Sequence, residues 1–235
     1  MSRTQKLPLS IVFPCLNEAR TLAGCIRRAR EACVRAGIEM EIIVADNGSS
    51  DESVQIAQAE SARVVPVRRR GYGAAVHAGI EAAEGQWVGF CDSDGSYPEE
   101  FFPHMLELAR KENADLLLAN RLQARIEPGA MPFLNRYVGT PVLSGMIRLL
   151  FAVPVYDCNS GMRVLKREKY QTLGLRSPGM AYACEMLCLA ARQGWKYAEC
   201  PLPLFRKDGR NRPSHLRRWR DGWNHFWMIW RSSRR

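Results

Sequence analysis

Asp92 and Asp94 stand two residues apart, directly after the apolar run Gln86–Cys91. That spacing puts both carboxylates on one side of a continuing strand. Two carboxylates held close repel unless a cation lies between them. A hard divalent ion, held by one or two carboxylates plus substrate phosphates, meets that need. Three other clusters also end apolar, β-branched runs: Pro14-Cys15-Leu16-Asn17-Glu18, Asp46-Asn47-Gly48-Ser49-Ser50-Asp51 and Arg68-Arg69-Arg70-Gly71-Tyr72-Gly73. Any one of them is accounted for by a β–α turn with a capping residue; four together, with an Asp-x-Asp among them, describe a site. Arg70, Gly71 and Gly73 make a basic, glycine-rich helix start whose backbone amides could face a phosphate. The first strand lacks a glycine turn and no Gly-x-x-x-x-Gly-Lys occurs, which excludes a dinucleotide fingerprint and a P-loop. Glu185 lies in an otherwise apolar, small-residue helix, so its carboxylate must be paired or functional: a base for a hydroxyl, an orienting partner for Arg163, or a structural ion pair. His77 reads as a helix-face residue.

The elements that must position these groups alternate. Strands are predicted at Leu9–Phe13, Glu41–Ala45, Arg63–Val67, Gln86–Cys91 and Asp115–Ala119. Helices are predicted over Glu18–Ala36, from Ser49 or Ser50 onward, and over Tyr72–Glu84 and Glu99–Lys111. This order implies an α/β fold with a mostly parallel central sheet and helices on both faces, where ligands bind at the carboxyl ends of strands. Beyond residue 120 the rhythm loosens. Residues 121–136 read as loop, Tyr137–Phe151 as a helix interrupted by Pro141, residues 179–193 as a helix, and Trp195–Phe205 as edge-strand pieces.

The 235 residues are 46% hydrophobic and 25% charged, which places the chain with globular proteins and not with disordered ones. The net charge of +10 is concentrated: Arg206–Arg235 holds ten basic residues against Asp208 and Asp221. In that segment Trp219, Trp223, Trp227 and Trp230 recur at helical spacing beside arginines, as in a helix lying on an anionic membrane surface. The expected division is a catalytic domain over 1–213 and a C-terminal amphipathic, basic and aromatic helix over 214–235. The eight cysteines include no Cys-x-x-Cys pair, so reduced thiols in the cytoplasm are expected. No apolar run is long enough to span a bilayer, and the N-terminus does not read as a signal peptide.

Taken in order, Pro14…Asn17-Glu18, Asp46-Asn47-Gly48-Ser49, Gly71-Tyr72-Gly73-Ala74, Asp92-Ser93-Asp94, Asn120-Arg121, Asp157-Cys158-Asn159-Ser160-Gly161-Met162-Arg163 and Glu199-Cys200-Pro201-Leu202 resemble glycosyltransferase family 2 enzymes of the GT-A fold. Within that family they are similar to the polyprenyl-phosphate transferases of the dolichyl-phosphate mannose or glucose synthase type. The resemblance implies a nucleotide-sugar donor held by Pro14, Asn17, Glu18, Asp46, Asn47 and Asp92. It implies a magnesium or manganese ion on Asp92 and Asp94, and an acceptor side built from Arg121, Asp157, Ser160 and Arg163. Such an enzyme would move a hexose, with inversion, to a polyprenyl phosphate at the inner membrane face. A phosphate acceptor is already largely ionised at neutral pH and needs cations to position it, where a sugar hydroxyl needs a base. The alternatives are a family 2 transferase with a sugar-hydroxyl acceptor in surface-polysaccharide synthesis, using Glu185, and a non-enzyme that binds nucleic acid through the Arg/Trp tail. The second alternative leaves the Asp92/Asp94 pair without a purpose, and no nucleic-acid partner is expected.

Overall fold

The computed structural model describes residues 7–206, 227–230 and 232. Seven strands form one sheet: β1 (Leu9–Cys15), β2 (Met40–Asp46), β3 (Arg63–Pro66), β4 (Trp87–Phe90), β5 (Leu116–Asn120), β6 (Arg163–Lys166) and β7 (Tyr197–Pro201), in the order β3-β2-β1-β4-β6-β5-β7. Every residue of β1, β4 and β5 is buried, as expected of central strands covered on both faces. One face carries α1 (Leu22–Arg35) and α4 (Phe102–Lys111). The other carries α3 (Tyr72–Ala82), α5 (Thr140–Phe151) and α7 (Tyr182–Arg192). Two short helices, α2 (Ser53–Ala59) and α6 (Arg167–Tyr170), complete the set. The apolar stripe of α1 is the one its spacing predicts: Leu22, Cys25, Ile26, Ala29 and Cys33 are buried. All eight cysteines are buried and unpaired.

Three local features differ from the sequence reading. The sheet is mixed because β6, only four residues long, inserts antiparallel between β4 and β5; so short a run gives no periodic signal. Pro141 does not interrupt a helix. It sits in the first turn of α5, where a missing N–H costs nothing, and Asn135–Gly139 leads into it as a π-helical turn. The first helix begins at Leu22 instead of Glu18: the Glu18 and Ala19 amides are held by Ser53 Oγ and Asp51 Oδ2, and residues 19–21 form a turn before it.

Most of the predicted 214–235 helix, including Trp219 and Trp223, lies outside the described residues. Residues 227–230 are helical. There Ile229 is fully buried in the core of the α3/α5/α7 face, while Trp227 is 44% exposed. Arg192 on α7 donates to the Ser232 carbonyl.

At the far edge of the sheet Asp115 fastens three elements. It accepts from Lys166 Nζ of β6 (2.8 Å), Lys169 Nζ of α6 (2.9 Å) and the Lys196 amide before β7 (3.0 Å). Burial alone would raise its pKa, but the two ammonium groups and the amide override that and pull it from 3.8 to about 2. A depressed carboxyl pKa contributes stability above the unfolded value, lost as pH falls through the folded one. Asp115→Asn should therefore cost about 1–2 kcal/mol at pH 7, roughly 2–8 °C in melting temperature. The gap between wild type and variant should close between pH 4 and 2 in a melting series; a gap that persists at pH 2 would contradict this.

Candidate active site

The loops at the carboxyl ends of β1, β2 and β4 are laced together by short polar side chains. Asn17, held by its left-handed backbone, donates its amide to Ser49 Oγ (2.9 Å) and accepts from the Ser50 amide (2.7 Å). The Glu18 amide reaches Ser53 Oγ (2.8 Å). Ser93 Oγ donates to the Pro14 carbonyl (2.8 Å), and Thr21 Oγ1 to the Ser93 carbonyl (2.7 Å). Pro14, Asn17 and Glu18 thus lie in loops tied to the Asp-Ser-Asp turn and to the loop after β2.

Asp46 and Asn47 are nearly buried where that loop begins. Asp46 accepts from the Gly48 and Ser49 amides (both 3.1 Å), closing its own turn. Asn47 Nδ2 donates to the Arg69 carbonyl (2.8 Å), and its Oδ1 accepts from the Gly71 amide (2.7 Å). Arg70 donates to the carbonyls of Asn47 and Gly48. Here the expectation that the helix start cradles a phosphate needs correction. A Cβ on Gly71 would lie 2.2 Å from the Pro178 carbonyl oxygen, and one on Gly73 would lie 2.5 Å from Tyr182 Cβ. The Ala74 amide already donates to Pro178 (3.0 Å). The glycines admit the chain's own 177–179 segment against α3, and Arg70 is a bolt between two loops.

Asp94 is buried, its Oδ1 accepting from Ser96 Oγ (2.5 Å) and the Ser96 amide (3.1 Å). Asp92 is half-buried and lies over Gly161, where an added Cβ would come within 2.8 Å of Oδ2. Tyr72 and Tyr97 flank it. Burial first, then the Asp92 charge, pushes the Tyr72 hydroxyl well above its ordinary range. Burial pushes Tyr97 up to about 12, against the nearby Arg121 cation and with Asp92 and Asp157 adding to the rise. Tyr97 Oη accepts from the Gly161 amide (2.7 Å), which fastens the Asp157–Arg163 segment beneath Asp92. The donor set at Asp92 and Asp94 is oxygen only, and among the described residues no cluster of three or more His, Cys, Asp or Glu could hold a metal. A carboxylate pair of this kind fits magnesium or manganese completed by substrate oxygens and water, not a dedicated protein cage.

Among the residues expected on the acceptor side, Arg121 and Asp157 form a bidentate pair: Nε to Oδ2 and Nη2 to Oδ1, both 2.7 Å, with the Arg121 amide on Oδ2 at 3.0 Å. Asp157 is fully buried. Burial works against the Arg121 charge, but Asp157 outweighs it and raises the guanidinium pKa further. Arg121 Nη1 is not used by Asp157, so the group keeps a donor edge for a second anion. The other acceptor-side residues expected from the sequence take different roles. Arg163 is wholly buried, its fork spent on the carbonyls of Ser160 (3.1 Å), Ala183 (3.0 Å) and Cys158 (2.9 Å). Ser160 is buried beside it, its hydroxyl near the Met162 backbone. Asp157 is the clamp on Arg121. Glu185 does not meet the Arg163 guanidinium, whose donors go elsewhere; it accepts from the amides of Arg176 (3.2 Å) and Ser177 (2.8 Å) and caps that loop.

Two residues, Glu199 in a quoted motif and Tyr97 outside all of them, matter more than their sequence setting suggested. Glu199 on β7 accepts from the Tyr156 amide (2.7 Å), the Asp157 amide (3.0 Å) and Asn120 Nδ2 (2.5 Å). Burial raises its pKa despite those donors. Tyr97 was singled out by nothing in the sequence beyond its nearness to Asp94.

Residues 10–174 match the family described as Glycosyl transferase family 2. The chain belongs to that family. It is 34% identical over 217 residues to the low-salt glycan biosynthesis hexosyltransferase Agl6 of Haloferax volcanii, covering 92% of this chain and 52% of the relative. The chain thus spans about half of that protein's length. It is 30% identical over 167 residues to the dolichyl-phosphate hexose transferase of the same organism, covering 71% of each. Among solved structures it is similar to glucosyl-3-phosphoglycerate synthase from Mycobacterium tuberculosis in complex with Mn2+, UDP and glucosyl-3-phosphoglycerate, with a TM-score of 0.74 over 98% of this chain and 81% of the other at 24% identity. That likeness identifies the GT-A fold.

Removing the clamp tests the geometry directly. Asp157→Asn leaves the buried Arg121 cation without its partner, and breaking a buried pair costs about 3–5 kcal/mol. The melting temperature should fall by at least about 6 °C; a variant that melts with wild type would show that the pair carries no weight.

Proposed function

We propose that this protein transfers a hexose from a nucleotide-diphosphate sugar to a polyprenyl phosphate, inverting the anomeric carbon. The observation that carries the acceptor class is the state of the carboxylates around the acceptor side. Asp157 is closed by Arg121, Glu199 by two amides and Asn120, and Glu185 by two amides. A sugar hydroxyl needs a general base, which these three groups are not placed to be. A phosphate monoester arrives already ionised and needs a cation to hold it, for which the remaining Nη1 edge of Arg121 is suited. A phosphate oxygen then bonds to the anomeric carbon as the bond to the nucleoside diphosphate breaks.

Asp92 and Asp94 would hold a magnesium or manganese ion, which when bound supplies Lewis-acid stabilisation of the diphosphate leaving group. The nucleoside would lie against the loops of Pro14–Glu18 and Asp46–Asn47. Tyr97 and Gly161 keep Asp92 and the acceptor loop at fixed separation.

A lipid-phosphate acceptor must be met at a membrane surface. No helix among the described residues is long and apolar enough to cross one. Instead, Phe133, Leu134, Tyr137, Val142 and Leu149 stand exposed along the π-helical turn and α5, Leu149 by 85%. Residues 128–156 contain no Asp or Glu, and Arg136 and Arg148 lie over the rings of Tyr137 and Tyr156. This composition suits the interface of an anionic bilayer. Hydrogen bonds from Cys158 to Ser144 (3.1 Å) and from Asn159 to Thr140 (3.3 Å) tie α5 to the acceptor loop. The surface we propose is therefore α5, joined or not by the C-terminal basic segment, at the cytoplasmic face.

Three measurements bear on this reading. Asp94→Asn should lose turnover with the fold retained, and wild type should stop in excess chelator; full activity in either case would remove the metal from the scheme. Glu185→Gln, which still accepts from the two amides, should keep its rate within about threefold, whereas loss of a true general base costs ~10²–10⁴. A hundredfold loss would favour the hydroxyl-acceptor reading. Leu149→Glu with Phe133→Glu should cut co-sedimentation with anionic vesicles while leaving turnover of a short, water-soluble acceptor phosphate unchanged; undiminished co-sedimentation would move the contact elsewhere.

A further inference from the structure

Outside the cleft just described, a concavity of ≈ 260 Å³ opens between the end of β3, one flank of α3 and the 175–178 segment. Asp46, Asn47, Asp92 and Asp94 take no part in its lining. Arg68 and Arg69 come from one wall and Arg176 from the opposite one, over a floor that includes Val67, Leu175 and His77. Among the described residues no carboxylate pairs with any of the three arginines. Among the described residues the one polar contact made by their side chains is from Arg69 Nη2 to the Arg176 carbonyl (3.3 Å).

Three like charges around one concavity raise its potential, and the Glu185 carboxylate behind the Arg176–Ser177 backbone is spent on its amides. The walls that carry them are nevertheless fixed. The Arg69 carbonyl accepts from Asn47, the Arg176 and Ser177 amides are held by Glu185, and Pro178 accepts from Ala74. His77 Nδ1 pairs with the Tyr170 hydroxyl (2.8 Å), which in turn meets Tyr182 Oη (2.5 Å), so the ring is oriented with Nε2 left over among the described residues. Guanidinium groups on anchored backbone, with an imidazole and an apolar floor between them, match a phosphate group carried on a small body.

We propose that this concavity is a second anion site that binds a phosphate monoester, its oxygens on Arg68, Arg69 and Arg176. Occupancy ties the β3–α3 loop to the 175–178 segment. The first of these continues into Arg70 and Gly71, so the ligand braces the wall of the donor cleft from outside. The monoester comes either from a free metabolite or from a lipid headgroup.

The test is calorimetry on the full chain in metal-free buffer with glycerol 3-phosphate, alongside co-sedimentation with phosphatidic acid vesicles and phosphatidylcholine vesicles. The proteins are wild type, the exposed-site variant Arg68→Ala/Arg176→Ala, the charge-keeping variant Arg68→Lys/Arg176→Lys and Asp94→Asn. Saturable binding of one glycerol 3-phosphate is expected, weakened at least tenfold in the alanine variant, partly kept in the lysine variant and unchanged in Asp94→Asn. Binding confined to phosphatidic acid vesicles, with the same dependence on the arginines, assigns the phosphate to a lipid. The proposal is overturned if neither form of phosphate binds, if the alanine variant binds as wild type does, or if Asp94→Asn loses the binding, which would put the anion in the donor cleft. None of these outcomes turns on whether the sugar-transfer reading holds.

Discussion

The loops after β5 and before β6 rest on the fully buried carboxylate of Asp157 and the fork of Arg121 that neutralises it. A charge at that depth is tolerable only if its partner is fixed in good geometry and its remaining lone pairs are satisfied. The bidentate contact and the Arg121 amide meet both conditions. The pair joins the end of β5 to the loop before β6. That loop carries Gly161 beneath Asp92, so the same contact that keeps a charge solvated also sets the distance between the two halves of the cleft.

Around this pair the protein holds more negative charge than is comfortable. Asp157 acts on Glu199, and beyond burial Asp92 pushes the hydroxyls of Tyr72 and Tyr97 upward, with Asp157 adding to the effect on Tyr97. The compensation differs from group to group. Asp157 has a cation, Glu199 has neutral donors, and Arg163 contributes positive potential from the core while its own donors go to carbonyls. Tyr72 sits within that potential, which partly offsets the effect of Asp92. It is among these carboxylates that the proposed divalent cation would be held.

The parallel strands, the amphipathic helices and the clustering of polar residues at strand ends were legible because each has a period or a turn chemistry. Roles were less so. Arg163 and Arg121 look alike in sequence, yet one ends in the core and the other at the cleft; the difference is set by which carbonyls the 158–163 turn presents, a tertiary fact. Gly71 and Gly73 read as a helix start whose amides could face a phosphate, but the group against them is Pro178 and its neighbours, a hundred residues away in sequence. Glu185 was rightly marked as needing a partner, and backbone amides supplied it. β6 was invisible because four residues flanked by turns carry no pattern of their own.

The antiparallel insertion of β6 has a consequence for how the chain is made. β3, β2, β1 and β4 are neighbours drawn from the first ninety residues and can assemble as a parallel unit while synthesis proceeds. β5 emerges next but has no place beside β4, for the slot between them belongs to a strand more than forty residues further on. Until Lys166 has left the ribosome, the inner edges of β4 and β5 expose unpaired backbone flanked by buried, β-forming side chains, the kind of edge that recruits other strands. The nascent chain therefore passes through an interval in which those edges are open to pairing with other strands, and the faster residues 120–166 are made, the shorter that interval is.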